Sequence, residues 1–251
     1  MKYEISRGQW AAFLNTLPEE GALYHNTGIG GSYPNFTATA PDRAKGFIAW
    51  FSDTAYADWS GLRPMTGLEF EKACRGPLPP VPNEFAWGTA SVHASPYALT
   101  NDGTPSEAIS NMGMGTGNAS YDVTAVNINR GLRCGIFAAS AASPDRIESG
   151  ASFWGIMELS GSMIERPITI AHVTGRAFTG EHGDGALSGA MAIANVPSWP
   201  NDQGYGAGLR GGSFSRVADQ MRVSDRTFAN VKFFARPSYF GFRGVRTAPV
   251  P

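Results

Sequence analysis

Glycine and proline interrupt this sequence so often that it cannot be built mainly from long helices or strands. The 251 residues include 31 glycines and 17 prolines, well above the usual combined share of about 12%. Both residues break regular structure and are typical of turns. Charged residues make up only 16% of the chain, against about 25% in an average domain. We therefore expect much of the chain to fold into ordered loops.

The apolar content is nevertheless high enough for a packed core. Hydrophobic residues make up 42% of the chain, including 15 phenylalanines and 6 tryptophans, which excludes intrinsic disorder. No stretch has the composition of a linker. A single core typically supports up to about 250–300 residues, so the sequence predicts one domain over residues 1–251.

The net charge of −1 argues against nucleic-acid binding and a membrane-surface role, because both usually need a basic excess. The charge is unevenly distributed, however. Residues 210–246 contain eight basic and two acidic residues, so this segment is net +6 and the remainder is net −7. No apolar run approaches the length of a membrane helix, about 20 residues. We predict no nucleic-acid partner and no membrane span.

The sequence begins directly with a strand-like run at residues 1–5, and no signal peptide is visible. We expect a location at the cell surface or on a phage particle if an upstream leader or anchor has been removed. Otherwise we expect a cytoplasmic location.

Two capping boxes mark the clearest helix starts. Ser6 and Thr66 are each followed three positions later by a glutamine or glutamate, which can bond back to the cap. We predict a first helix over about residues 7–17, a second over about 53–59, and a third from Thr66 to a stop at Gly76.

Strand-like runs appear only later in the chain. Residues 76–150 lack sustained periodicity and read as long loops, whereas residues 153–159, 164–173 and 241–246 have strand spacing. Helices early and strands late predict an α+β fold.

Residues that commonly carry catalysis or bind metals are scattered. Cys74 and Cys134 have neither metal-ligand nor redox-pair spacing, and free thiols are favoured over a disulfide between them. Glycine-rich runs at Gly28 and Gly113 lack the context and the lysine of a phosphate loop. We therefore predict no catalytic site, no metal and no cofactor. The histidines are equally isolated: His25, His93, His172 and His182.

The C-terminal segment, residues 210–246, interleaves aromatic residues with arginines. These residue types dominate binding hot spots, because they supply rigid contact area and forked hydrogen bonds. The alternative is that the aromatics form core and the arginines a solvated face, which we favour for Phe242 and Arg243. It suits the pairs Phe233–Phe234 and Tyr239–Phe240 less well, because adjacent side chains on an extended chain point to opposite faces.

Four pieces of the sequence carry a family resemblance, in family order: MKYEISRGQWAAFLNTL, YADWSGLRPMTGLEFEKACRG, GIMELSGSMIERP, and RGGSF with GFRGVR. They resemble the formylglycine-generating-enzyme or sulfatase-modifying-factor family, which has a C-type-lectin-like fold. The resemblance implies an α+β domain with two or three short helices, short antiparallel strands and long ordered loops. It does not carry the oxidase activity, because Arg216 and Met221 stand where those enzymes have copper-binding cysteines.

The chain is more similar to one branch of this fold, the variable proteins of bacterial or phage diversity-generating retroelements. In that branch AAC asparagine codons are copied with errors, which can yield Phe, Tyr, Ser, Arg, Val, Asp or Thr but not Lys, Gln or Met. The resemblance implies a hypervariable binding segment at about residues 210–246 that contacts an unknown protein or surface ligand. The candidate contacts are Phe214, Ser215, Arg216, Val217, Asp219, Thr227, Phe228, Val231, Phe233, Phe234, Ser238, Tyr239 and Phe240.

Two other functions stay open. The first is a non-diversified binding or structural domain, such as a phage tail or surface component. The second, less favoured, is a metal-dependent oxidase of the formylglycine-generating type. A reverse transcriptase and a near-copy template beside the gene would separate the diversified protein from both.

We also predict which residues support the binding segment. Because buried charges need partners, we expect framework roles for Arg222, Asp225, Arg226 and Arg243, paired with one another or with backbone carbonyls. We expect the loops of residues 76–150 and 175–208 to hold the segment in place.

Overall fold

The computed structural model describes residues 1–143, 145–231 and 234–248. Phe233, one of the candidate contacts, lies outside the described residues. Within them, no helix is long and apolar enough to cross a lipid bilayer.

Short helices are spread along the described part of the chain, separated by long irregular segments. The first and fourth begin at the predicted capping boxes, in which the side chains of Ser6 and Thr66 each accept a hydrogen bond from the backbone three residues on. The α-helices are α1 (Arg7–Leu14), α2 (Glu19–His25), α3 (Trp50–Trp59), α4 (Gly67–Arg75), α5 (Val123–Val126), α6 (Ile136–Ser140) and α7 (Val173–Arg176), and one 3-10 turn covers Ala218–Met221.

The strands of the described residues are equally short and pair only in antiparallel twos. They are β1 (Gly30–Ser32) with β2 (Asn35–Thr37), β3 (Arg63–Pro64) with β8 (Gly244–Val245), β4 (Leu99–Thr100) with β5 (Ala108–Ile109), and β6 (Leu187–Ser188) with β7 (Ile193–Ala194). The predicted α+β class with short antiparallel strands is confirmed.

An aromatic core lies between α1 and α3. The ring of Trp10 stacks on Tyr56 with 5.7 Å between centroids, and Phe13 meets Tyr56 and Trp59 edge-on at 5.4 and 5.3 Å. Such tilted and offset ring pairs add to the free energy of burial. Trp10, Phe13 and Leu14 are fully buried, so α1 turns an apolar face toward this core.

The start and the end of the chain lie side by side. The backbone N–H of Ile5 donates to the Phe242 carbonyl at 3.1 Å, and the carbonyl of Ile5 accepts from Lys45 N–H at 2.8 Å. Together with the β3–β8 pair, this contact connects residues near 242 to the aromatic core.

Helix α2 was not predicted. Pro18 occupies the N-cap position of α2, without a side-chain hydrogen bond to the helix. The acids Glu19 and Glu20 follow at once in its first turn. Proline followed by acids is common at a helix N-terminus. Proline has no N–H that would stay unbonded there, and the carboxylates interact favourably with the exposed N–H groups of the first turn.

Two of the three predicted strand regions are wrong. Residues 153–159 form turns instead, because Ser152 Oγ accepts from the N–H groups of Trp154 and Ile156 and closes the chain on itself. Residues 164–173 make only isolated bridges and then enter α7. Within residues 241–246, Gly244–Val245 is a strand.

Candidate ligand-binding face of the C-terminal segment

The C-terminal segment is anchored at its start by Arg210. The backbone of Arg210 forms an antiparallel bridge with Glu165, with N–O distances of 2.9 and 3.1 Å. Its buried guanidinium lies 4.8 Å from the centre of the Phe70 ring and donates to the Val223 carbonyl. The start of the segment is therefore fixed in the core.

Two glycines make the close turn after that anchor possible. Gly211 and Gly212 have φ values of 83° and 67°, which side chains of L-residues rarely adopt. A Cβ on Gly211 would lie 2.8 Å from the Leu159 carbonyl oxygen, and one on Gly212 would lie 2.7 Å from Cγ of Met221. The glycines of the RGGSF motif are thus required by geometry.

Arg243 anchors the other end. Its Nε donates to Glu165 Oε1 at 2.8 Å, and its terminal nitrogens donate to the carbonyls of Lys2 and Met157 at 2.9 and 2.8 Å. The side chain is buried, so the charge is compensated by a carboxylate and by carbonyls. The predicted framework role of Arg243 is confirmed.

The other predicted framework residues also have partners, and some of these are one another: Arg226 Nη1 donates to the Asp225 carbonyl at 2.9 Å, and Asp225 N–H donates to the Arg222 carbonyl at 3.0 Å. Arg226 pairs with Glu71 and donates to the Val223 carbonyl at 3.2 Å, and Arg222 pairs with Asp219 at 2.7 Å. Asp225 accepts from the Thr227 hydroxyl at 2.7 Å. The acids Glu71 and Asp219 were not predicted as partners.

Part of the predicted loop support is present. Within residues 76–150, the Glu84 carbonyl accepts from Val223 N–H at 3.0 Å, and Asp122 N–H donates to the Arg216 carbonyl at 2.9 Å. The loop of residues 175–208 reaches the segment mainly at its end, where Gly208 packs against Ala229.

Phe214 and Phe240 were predicted as ligand contacts, but the structure places both in the core. Phe214 packs in a cluster with Met221, and Phe240 packs with Ile164 and Leu209; both rings are buried. The Arg166 guanidinium covers Phe240 at 5.1 Å from the ring centre. Side chains alternate along an extended chain, so one ring of a neighbouring pair points inward. The set of residues that an AAC codon can yield does not show which way a side chain points.

The remaining described candidates are accessible to different degrees. Val217 and Phe234 are the most exposed large apolar members, at 53% and 54%. The exposed members are Ser215, Val217, Asp219, Thr227, Val231 and Phe234. The half-buried members are Arg216, Phe228, Ser238 and Tyr239.

Arg216 joins three parts of the segment. Its guanidinium carbon lies 5.4 Å from the Phe228 ring centre and 5.1 Å from that of Tyr239, and its Nη2 donates to the Tyr239 hydroxyl at 3.1 Å. Stacking of a guanidinium on two rings restricts all three side chains. Residues far apart along the segment therefore form one continuous patch.

The cysteines of the chain are free thiols. Burial raises the pKa of Cys74 to about 12 and holds the pKa of Cys134 well above its ordinary value. Both groups therefore stay protonated at neutral pH, whereas the thiolate is the reactive and metal-binding form. No group of three or more histidine, cysteine, aspartate or glutamate side chains with metal-binding geometry occurs among the residues that the structure describes.

Solved structures of similar shape include two bacterial proteins. PvdO from Pseudomonas aeruginosa is 13% identical, with a TM-score of 0.46 over 96% of this chain and 77% of that one. Treponema denticola variable protein 1 is 13% identical, with a TM-score of 0.42 over 95% of this chain and 80% of that one. A search of curated protein sequences gave no match.

A family model places the chain more firmly. The model of the sulfatase-modifying factor enzyme 1-like domain matches residues 1–248. This match confirms the resemblance and the fold class predicted from the sequence, although the described helices outnumber the two or three expected. The chain therefore belongs to the sulfatase-modifying factor enzyme 1-like domain family.

Proposed function

We propose that this chain is a non-catalytic binding protein that displays its C-terminal segment to a protein or surface ligand. The observation that carries the proposal is the contrast within that segment. Arg210 and Arg243 at its ends are buried and bonded, whereas Val217 and Phe234 between them are more than half exposed. Exposed apolar and aromatic side chains on a firmly held backbone are typical of a recognition surface.

We further propose that a retroelement diversifies this surface. Met221, which an asparagine codon cannot yield, is fully buried, whereas the reachable Val217 and Asp219 nearby are exposed. Error-prone copying is tolerated where side chains support no core, because exposed substitutions usually change stability by less than about 0.5 kcal/mol. The burial of Phe214 and Phe240 restricts the diversified set to the exposed and half-buried candidates.

The chemistry of the thiols favours binding over oxidation. Arg216 and Met221 occupy the positions of the copper-binding cysteines of the family's oxidases, and neither provides a thiolate. The raised pKa values of Cys74 and Cys134 keep these thiols protonated. Purified protein that bound copper stoichiometrically and oxidised a cysteine-containing peptide would contradict the proposal.

Sequencing the gene and its surroundings in related isolates tests the diversification. We expect a reverse transcriptase gene, a near-copy of the segment as template, and substitutions confined to codons for exposed or half-buried candidates. The codons of Arg210, Glu165 and Arg243 serve as the internal control and should not vary. Variation spread evenly over both groups would contradict the proposed diversification.

A pair of displayed libraries tests the binding role. One library randomises Ser215, Val217, Asp219, Thr227 and Phe234, and a matched library randomises the buried Leu209, Phe214, Met221, Val223 and Phe240. We expect folded protein and new binders from the first library only. Equal fractions of folded clones in both libraries would show that burial does not separate display from framework.

A further inference from the structure

A small cavity beside the C-terminal segment is lined by three basic side chains. It encloses about 190 Å³, Arg7, Lys45 and Arg130 line it, and Phe214 and Ser238 form part of its wall. The described residues that line this basic cavity include no aspartate or glutamate. Positive charge is therefore concentrated there without a counter-charge in the wall.

Lys45 is the most buried of the three, at 3% exposure. Its Nζ donates to the carbonyl and the hydroxyl of Thr27, both at 2.9 Å, and to the Gly46 carbonyl. These acceptors satisfy its protons, and the ring centres of Trp10 and Phe47 lie 5.7 and 6.0 Å from Nζ, but no carboxylate pairs with it among the described residues. Burial and the nearby charges of Arg7 and Arg236 lower the pKa of Lys45 to about 7. A buried ammonium beside other cations is unfavourable, and a bound anion would relieve it.

The two arginines are only partly neutralised. Arg130 pairs with Asp102 at 2.6 Å, but Asp102 is shared with Arg43. Arg130 Nε is buried and has no hydrogen-bond partner among the described residues. Burial, and then the charges of Arg43 and Arg130, lower the pKa of Arg7, although the nearby Glu107 partly opposes this shift. The cavity therefore retains donors and excess positive charge.

We propose that the basic cavity binds an anionic group, a carboxylate, sulfate or phosphate, either as a free ion or as part of a larger ligand. Guanidinium groups bind such groups through charge-assisted, often forked hydrogen bonds. The volume of about 190 Å³ lies below the range of about 300–1,000 Å³ typical of drug-sized ligands. The site thus fits a single charged group.

The basic cavity is lined by residues from both inside and outside the C-terminal segment. Arg7, Lys45 and Arg130 lie outside residues 210–246, whereas Ser238 belongs to the candidate contacts. An anion bound there would be held by residues outside the segment, next to a candidate contact. The inference goes beyond the display function and stands without it.

Sulfate is the probe that tests the site, because its charge does not change between pH 6 and 8.5. Calorimetric titration with sodium sulfate at constant ionic strength should reveal one saturable site. We expect Arg130→Gln to weaken sulfate binding about tenfold, the loss of one hydrogen bond to a charged group. Asp102→Asn is the matched control: it breaks the same ion pair but keeps the cation, so binding should be unchanged or tighter.

The pH dependence isolates Lys45. Arg7, Arg130 and Arg236 face it and stay charged throughout this range, so the gain of a proton by Lys45 should make sulfate bind more tightly at pH 6 than at pH 8.5. Lys45→Met should remove this difference.

Three outcomes would overturn the proposal: no saturable binding, equal weakening by Arg130→Gln and Asp102→Asn, or a pH dependence that survives Lys45→Met. The titration uses sulfate and no partner. A negative result would therefore leave the display function standing, and failure of the displayed libraries would leave the anion site standing.

Discussion

The aromatic core between α1 and α3 and the C-terminal segment are both rich in aromatic rings, but they use them differently. In the core, Trp10, Phe13 and Tyr56 contact one another and are buried. In the segment, Tyr239 is half-buried under Arg216, and Phe234 is 54% exposed.

The difference follows from how each backbone is held. Helical spacing places Trp10 and Phe13 on one face of α1, where they pack against Tyr56 of α3. The segment has one short 3-10 turn among its described residues, and its backbone depends on bonds to buried groups such as Arg210 and Arg243. The segment is thus held by its own buried residues and their partners, whereas its exposed side chains support no core.

The largest expected effect separates two phenylalanines of the same segment. Phe240→Ser should lower the free energy of unfolding by about 3–5 kcal/mol, because it removes a fully buried ring. Phe234→Ser, the matched control, should change it by less than about 0.5 kcal/mol. Urea unfolding of both variants measures the contrast. Similar losses in both would mean that the segment is part of the core.

The second effect is an acid response of the aromatic core. Burial lowers the pKa of His25 to about 4, and its ring accepts from Ser52 Oγ at 2.9 Å and donates to the Met191 carbonyl at 3.0 Å as a neutral group. Its contribution to stability is therefore complete above pH 6.5 and is lost as the pH falls through 4, by about 3 kcal/mol.

Chemical-shift titration of the ring protons measures the His25 pKa directly. His25→Gln should flatten the loss of stability between pH 6.5 and 4. A His25 ring that titrates near pH 6.5 would contradict the buried neutral geometry.

A smaller effect is expected at Arg216, which contacts two aromatic rings of the segment. Arg216→Met should lower stability by about 1 kcal/mol, because it removes the stacking on Phe228 and Tyr239. Arg222→Met breaks a more exposed pair with Asp219 and should cost about 0.5 kcal/mol or less. Thermal unfolding compares them, and an Arg216 variant as stable as the Arg222 variant would mean that the patch is not held together by that guanidinium.

The smallest effect is expected on the display side. Replacing Val217, Val231 and Phe234 by serine together should leave a cooperative unfolding transition near that of the parent, since all three side chains are exposed. Binding to a ligand selected against the parent should be lost. Aggregation or a broad transition in this variant would break the division between support and display.

The sequence predicted what is local and missed what depends on distant neighbours. The capping boxes at Ser6 and Thr66 identified two helices, because a cap is determined within four residues. The turn around Ser152 replaced a predicted strand, since a side-chain oxygen competed with strand pairing.

The site followed the same rule. The order of the four family motifs pointed to the C-terminal segment as the binding segment. The predicted framework role of Arg243 was confirmed. The inward direction of Phe214 and Phe240 could not be predicted, because it depends on Ile164, Leu209 and Met221 from elsewhere in the fold. The basic cavity was missed for a similar reason: Arg7, Lys45 and Arg130 are far apart in the sequence.

The contact between Ile5 and Phe242 also bears on the order of folding. A bond across 237 positions forms only after the intervening chain has closed into a loop, and such non-local contacts slow folding. The aromatic core near Ile5 is synthesised early, but its last neighbours leave the ribosome with residues 241–245. We therefore expect a copy that ends within the segment to remain unfolded and open to proteolysis. Only chains translated through the whole segment would present it, so the architecture itself would screen out incomplete variants before they meet a ligand.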